Sequence, residues 1–374
     1  MENYKSGNYQ NQGYYKSFQP SLINKNWLLK DMEIQQLLSK ADRQLGRLDM
    51  YSEYIPNIDL FISMHVIKEA TQSSKIEGTQ TNIEEALLEK EDVILDKRDD
   101  WEEVQSYIEA MNTAIKKLET LPFSTRLIKE THKILLQGVR GQHKLPGEYR
   151  SSQNWIGGAS INDATFIPPV YGSINELMSD LEKFAHNEEF YFPDLLKIAL
   201  IHYQFETIHP FLDGNGRVGR LIITLYLVDK TILKKPILYL SDFFERNRSL
   251  YYDNLMNIRT KNDIKQWFKF FLVGIIETTK NGIETFDAIL KLKKETEEKI
   301  QKIGNRSNHL LTIMDFLYQK PSINALKIIA LTKVSQATAY KIIDELVGME
   351  ILKEITGGKR GKVYVFDKYI KLFN

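Results

Sequence analysis

His209-Pro210-Phe211-Leu212-Asp213-Gly214-Asn215-Gly216-Arg217-Val218-Gly219-Arg220 is the stretch on which the reading of this chain turns. The apolar run Asp194–Ile208 before it reads as a buried helix that delivers His209. Asp213-Gly214-Asn215-Gly216 then makes a tight turn into a second helix, whose Leu221–Val228 portion is apolar on nearly every side. Glycines flanking Asn215 allow backbone angles that turn successive N–H groups toward one point, and a helix N-terminus adds partial positive charge there. Arg217 and Arg220 are three residues apart and project from one helical turn. The result is an anion hole with two guanidinium groups, suited to an oligophosphate. Asp213 beside it is placed to hold Mg²⁺, which binds phosphates through few carboxylates. His209 has the intrinsic pKa of a base that works near neutral pH.

A lone Asp-Gly-Asn-Gly is usually only a turn, and a lone helical histidine usually a core residue. It is the whole string that argues for chemistry. His202 and His209, seven apart, have no third ligand at metal spacing, and there is no GxxxxGK[ST] loop. Neither a zinc site nor a Walker NTPase is expected.

Outward from the string, most of the chain reads as helices. Leu37, Leu38, Ala41, Leu45 and Leu48 mark one before Pro56. A second runs from Asp59 to about Lys75, with Phe61, Met64, Val66, Ile67 and Ala70 as core candidates and Gly78 as its stop. Thr81-x-x-Glu84 reads as a capping box. Further helices are expected at 101–118, 124–137 and 174–186. Gly147–Val170, punctuated by Gly157, Gly158 and Pro168-Pro169, reads as an irregular hairpin or flap. Residues 1–20, rich in Asn, Gln, Tyr and Ser, read as a tail that is loose unless it docks.

The last block, 304–374, has its own logic: three helices, a strand, a turn at Gly357–Gly361 and a second strand, which is a winged-helix pattern. Eleven Lys and Arg against six acids make it +5, and the remainder −4. Ser335, Gln336, Thr338 and Lys341 are placed to line a recognition helix, with Lys359-Arg360 on the wing. Winged helices serve DNA and protein docking alike, and both stay open here. The block should be dispensable for the chemistry, because every candidate catalytic residue precedes it.

The bulk numbers set bounds. At 374 residues the chain exceeds one ordinary core. A net charge of +1 excludes function by overall electrostatic attraction. The absence of cysteine excludes disulfides and thiolate chemistry and fits a reducing cytoplasm. No apolar run is long enough to span a membrane and no signal pattern opens the chain.

The central string resembles the HxFx[DE]GNGRxxR signature of the Fic family at every specified position. Gly147-Glu148-Tyr149-Arg150, Gln153–Gly158 and Phe166–Pro169 resemble the family's flap region, and Ser73-Ser74-Lys75-Ile76-Glu77-Gly78 its [ST]xxxE[GN] inhibitory motif, in the N-terminal placement of class II. The resemblance covers about residues 24–280. It implies a mainly α fold: a Fic-type helical bundle with a small β-hairpin flap, followed by the winged helix. The divisions expected are a tail (1–20), an N-terminal helical region (21–110), a Fic core (111–275), a helical connector (276–303) and the winged helix (304–374).

The activity the resemblance implies is transfer of AMP from Mg-ATP to a Ser, Thr or Tyr hydroxyl of an unknown target protein, the chain itself included. His209 is then the base, Asp213 the Mg²⁺ ligand, Gly214, Asn215 and Gly216 the anion hole, Arg217 and Arg220 the clamps on the outer phosphates, and Phe211 the loop's anchor. Ile156, Gly157, Gly158 and Ala159 lie over the nucleotide and register the target as an added strand. Tyr251 and Tyr252 border adenine. Some relatives have Asn seven residues after the second Tyr. Here Arg259 stands there, and that contact is not carried over. Ser73 and Glu77 form the restraint, with Glu77 pairing to Arg220. Two alternatives are kept: a DNA-binding regulator whose core only senses nucleotide, and an enzyme that removes AMP. Intact His209 favours transfer over the sensor, which would not need the base. A homodimer is left open.

Overall fold

Asp194–Ile208 and Asn215–Asp229 form the buried centre, as their apolar composition requires. The computed structural model describes residues 4–55, 58–138, 142–302, 307–356 and 361–373. Every residue from Leu195 to Ile208 is buried, so the polar ones need internal partners. His202 uses both ring nitrogens, toward Gly219 O (2.8 Å) and Tyr251 OH (2.9 Å). Lys197 donates to Asn187 O and Gln204 to Ser21 O. His202 is a satisfied core histidine.

Around this pair pack the helices Asp59–Ile76, Arg98–Lys117, Thr125–Leu135, Ile174–His186, Ser241–Arg246 and Arg248–Lys261. Phe61, Met64, Val66, Ile67 and Ala70 all lie in the core. The 38-residue helix Ile264–Gln301 runs against Met32–Tyr54, with Tyr51 OH donating to Asp287 at 3.0 Å. The charged stretch expected as a connector is the second half of this long helix. Its Ile283, Phe286 and Ile289 are buried, so it is part of the body and links nothing freely. No helix among the described residues is long and apolar enough to cross a membrane.

The capping box is one residue later than expected. Asn82 accepts from Glu85 N (2.8 Å), and the Glu85 carboxylate accepts from Asn82 N (3.1 Å). Thr81 is instead buried.

The N-terminal segment is not loose. Gly7–Asn11 and Lys16–Pro20 pair as an antiparallel hairpin in the register Tyr9 to Phe18. Phe18 is buried against Phe166, its N–H donates to Ile167 O at 2.9 Å, and Ser6 donates to the Asn262 side chain. Polar composition argued for disorder, but two aromatic anchors, Tyr4 and Phe18, suffice to dock the hairpin.

The C-terminal block contains Ser307–Gln319, Ser322–Ile323, Ala325–Thr332, Gln336–Gly348, Lys353–Glu354 and Tyr364–Val365. The three strands form an antiparallel sheet with Tyr364–Val365 in the middle, the element order of a winged helix. Ser335 caps the third helix by accepting from Thr338 N. The block does not stand apart. Tyr318 meets Phe61 edge-on at 5.5 Å, Phe373 meets His65 at 5.0 Å, and Ser63 donates to Gln319 O. It is therefore docked on the helix Asp59–Ile76 and shares its core. Pro56, Gly304, Asn305, Arg306 and the wing residues Gly357, Gly358, Lys359 and Arg360, on which the sequence reading drew, lie outside the described residues.

Candidate active site

His209 ends the helix Asp194–Ile208 in the left-handed region (φ 50°, ψ 60°), an uncommon place for a residue with a side chain. The surroundings hold it there. Its N–H donates to Phe205 O, and Arg150, itself buried, donates from Nε to His209 O (3.0 Å) and from Nη2 to Pro169 O (2.6 Å). Pro210 O accepts from Arg150 N. The residue is half-buried, and its enclosed Nδ1 has no hydrogen-bond partner. Burial, and then the Arg259 and Arg150 charges, push it down to about 4. The ring is thus neutral, with a free lone pair. The near-neutral pKa expected from the sequence is not found, because burial beside two cations disfavours the protonated form.

The turn beyond is braced from within. Asn215 accepts from Phe211 N and donates to Phe211 O, both at 2.9 Å. Its side chain is thereby committed to the loop, leaving backbone N–H groups as its means of holding an anion. Gly214 takes φ 74°. Phe211 is buried and stacks on His132 at 3.7 Å, nearly parallel. His132 Nδ1 accepts from Gly147 N (2.8 Å), which leaves Nε2 to donate to Asp213 O (3.0 Å). One histidine therefore ties the flap's root to the turn. No local pattern marks this role, since His132 looks like any residue on the apolar face of an amphipathic helix.

Asp213 keeps 45% of its side chain exposed, and its Oδ1 accepts from Gly214 N. Arg217 lies between Asp213 (3.6 Å) and Glu103 (3.2 Å), and Thr79 also donates to Glu103. Arg220 is buried. It donates from Nε to Ser73 Oγ (2.9 Å) and from Nη2 to Ser73 O (2.8 Å) and Glu77 Oε1 (2.7 Å). Partial burial alone would raise the Glu77 carboxyl, but Arg220 beside it outweighs this and holds it below its ordinary value. A Cβ at Gly216 would fall 2.2 Å from Glu77 Oε1, so the carboxylate rests directly on the first turn of the helix Asn215–Asp229. Glu206 is a further acid that the motif reading passed over. Burial raises it to about 7, its Oε1 lacks a partner, and it fills the space where a Cβ at Gly219 would be.

The flap is a short pairing of Ile156 with Phe166 through two backbone hydrogen bonds (2.8 and 3.1 Å). Gly157 and Gly158 have φ 70° and 74°, and Asp163 staples the tip by accepting from Ala159 N and Ser160 N. At its root Asn154 donates to Phe211 O (3.0 Å), so flap and turn are joined. The tyrosine pair divides. Tyr251 is buried against Phe244 and bonded to His202, whereas Tyr252 is 42% exposed. Tyr251 is thus enclosed in the core, and Tyr252 faces outward.

These residues suit a Mg-triphosphate. One partly exposed carboxylate is enough for an ion held otherwise by phosphate and water. Among the described residues no cluster of three His, Asp or Glu competes for a metal.

The arrangement of a half-buried neutral histidine, a glycine-flanked turn and two arginines on one helix start has counterparts elsewhere. The description "Fic/DOC family N-terminal" fits residues 35–116 and "Fic/DOC family" residues 122–227, together just over half of the chain. The chain belongs to the Fic/DOC family. It is 31% identical over 125 residues to a protein named "Protein adenylyltransferase Fic" from Aedes aegypti, covering 33% of this chain and 22% of the relative. With the Drosophila willistoni protein of the same name it shares 26% over 188 residues, 47% of this chain and 34% of that one. The match thus spans between 22% and 34% of these curated relatives' length. In three dimensions it is similar to a Fic family protein from Desulfovibrio desulfuricans G20 (TM-score 0.58, 19% identity, 91% of this chain and 98% of that one). A Fic domain containing signaling protein from Bacteroides thetaiotaomicron gives a TM-score of 0.51 at 20% identity, over 68% of this chain and 97% of the other.

Proposed function

We propose that this protein is a protein adenylyltransferase, moving AMP from ATP to a hydroxyl of a protein substrate, and that Glu77 restrains it. The reading is carried by one observation: His209, the Gly214–Gly216 turn, Arg217 and Arg220 converge on one point at a helix N-terminus. The names of the relatives agree with it. The triphosphate would lie along the turn and the two guanidinium groups, and Asp213 would hold the Mg²⁺ that offsets phosphate charge when bound. The target hydroxyl oxygen bonds to the α-phosphorus, the bond from that phosphorus to the bridging oxygen breaks, and pyrophosphate leaves. His209 takes the hydroxyl proton. A neutral imidazole is the form required, and the negative charge of bound nucleotide raises its basicity from the low resting value. Positioning and charge stabilisation account for most of the rate.

Restraint is supported by where Glu77 sits. Its carboxylate occupies the anion position over Gly216 and takes up an Arg220 donor that the γ-phosphate would need. The test is incubation of wild type and Glu77→Gly with labelled ATP and cell lysate, with labelled peptides read by mass spectrometry. Glu77→Gly should label more strongly than wild type. His209→Ala in that background should lose ~10²–10⁴-fold in rate while still binding ATP. Equal labelling by the His209→Ala protein would remove the mechanism. Equal labelling by wild type and Glu77→Gly across ATP concentrations would remove the restraint alone.

A further inference from the structure

Arg259 is a buried cation one layer behind His209. Its guanidinium makes contacts in two directions. Toward the catalytic helix, Nε donates to Thr207 Oγ1 (3.1 Å) and Nη2 to Glu206 O (3.3 Å). These belong to the last turn before His209, where carbonyls have no intrahelical partner and the helix dipole favours a cation. In the other direction the guanidinium carbon sits over the Phe166 ring, 3.8 Å from its centroid. Phe166 is the residue whose backbone pairs with Ile156 to make the flap. Phe166 also packs against Phe18 of the N-terminal hairpin, ring centroids 6.0 Å apart.

We propose that Arg259 is a positioning residue for the transfer step, locking the turn that delivers the base to the strand that registers the target. The proposal rests on the adenylyltransferase reading. A guanidinium suits this position because two nitrogens of its fork serve the helix end while its carbon sits over the ring, a division that a point-charge ammonium cannot make. It also differs from an adenine contact, since Arg259 is enclosed by protein on both sides. The charged groups facing His209 come from three directions. Arg259 and Arg150 favour the neutral ring, Glu77 favours the protonated one, and Glu206 on its own helix supplies a backbone carbonyl.

The test uses the full chain carrying Glu77→Gly, with Arg259→Met and Arg259→Lys added separately. Arg259→Met should lower kcat by ~10–100-fold, since displacing a reacting group by about 1 Å has effects of that order. The KM for ATP should change by less than about threefold, well below the tenfold that 1.4 kcal/mol represents. The acid limb of the kcat/KM profile should move to higher pH, because one of the two cations depressing His209 is gone. Arg259→Lys should restore the pH profile but not the rate. Two further readouts are independent of turnover: NMR titration of His209, which should shift upward in Arg259→Met, and hydrogen exchange of the Ile156 and Phe166 amides, which should quicken. If the Glu77→Gly parent transfers no AMP, the functional reading fails and these two readouts still decide the role of Arg259. A raised KM for ATP at unchanged kcat, or unchanged flap exchange and His209 titration, would overturn it.

Discussion

The most consequential residues that carry no motif are those holding the motif in place. His132 works only as a neutral ring: Nδ1 accepts from Gly147 and Nε2 donates to Asp213 O. Burial lowers it to about 4, so the neutral form persists well below neutral pH. His132→Phe keeps the stack on Phe211 but orphans both partners. Each buried group left unsatisfied costs about 1–3 kcal/mol, so urea unfolding should register a loss of that order. ATP affinity should fall as well, because the turn loses its tie to the flap's root. Wild-type stability and affinity in His132→Phe would show the histidine to be mere filling. The motif residues themselves were legible from spacing and residue type. His132, Glu103, Glu206 and the Arg150 web were not, because their partners lie far off in sequence and only the fold brings them together.

At the scale of elements, strongly amphipathic or wholly apolar helices were legible almost to the residue: Ile174–His186 and Asp194–Ile208 stand where periodicity placed them. The capping box slipped by one because Thr81 and Asn82 can both cap and Glu84 and Glu85 are both acids. Burial of Thr81 decides between them. The N-terminal hairpin was missed because its stability lies in contacts to Phe166, Ile167 and Asn262, which no local pattern records. Deleting residues 1–20 should therefore do more than trim a tail. Removing one buried Phe typically costs ~3–5 kcal/mol, and Phe18 goes with the segment. The measurable result is a lower Tm and faster exchange at the Phe166 amide. An unchanged Tm would mean that the hairpin's packing contributes little.

For the whole molecule, acid should be the weak side. His65, His132 and His202 are buried and His209 half-buried, and desolvation pushes them, in that order, to about 3, 4, 3 and 4. In the unfolded chain each titrates near ~6.5. Their folded values are depressed, so the unfolded state binds more protons as pH falls below that point. The stability they contribute is complete above ~6.5 and is lost progressively as pH drops toward their folded values. Tm should fall between pH 7 and 5, before most carboxylates titrate, and a flat profile there would contradict the buried neutral state of these rings. The docked C-terminal block also changes what truncation means. Its removal would uncover Phe61 and His65 on the helix that leads to Glu77, so it is not the neutral deletion that the order of catalytic residues suggested.

That docking has a mechanical side. The helix Asp59–Ile76 is gripped by Tyr318 and Phe373 near its start, and Glu77 stands just beyond its far end. From Phe61 to Glu77 the rise is about 24 Å at ~1.5 Å per residue. A rigid rod of that length turns angle into distance: a tilt of about 5° at the gripped end carries the tip ~2 Å. The carboxylate is fastened to Arg220 by a 2.7 Å contact, and a stroke of ~2 Å is enough to break a bond of that length. A tilt of this helix at its docked end would therefore carry Glu77 away from Arg220.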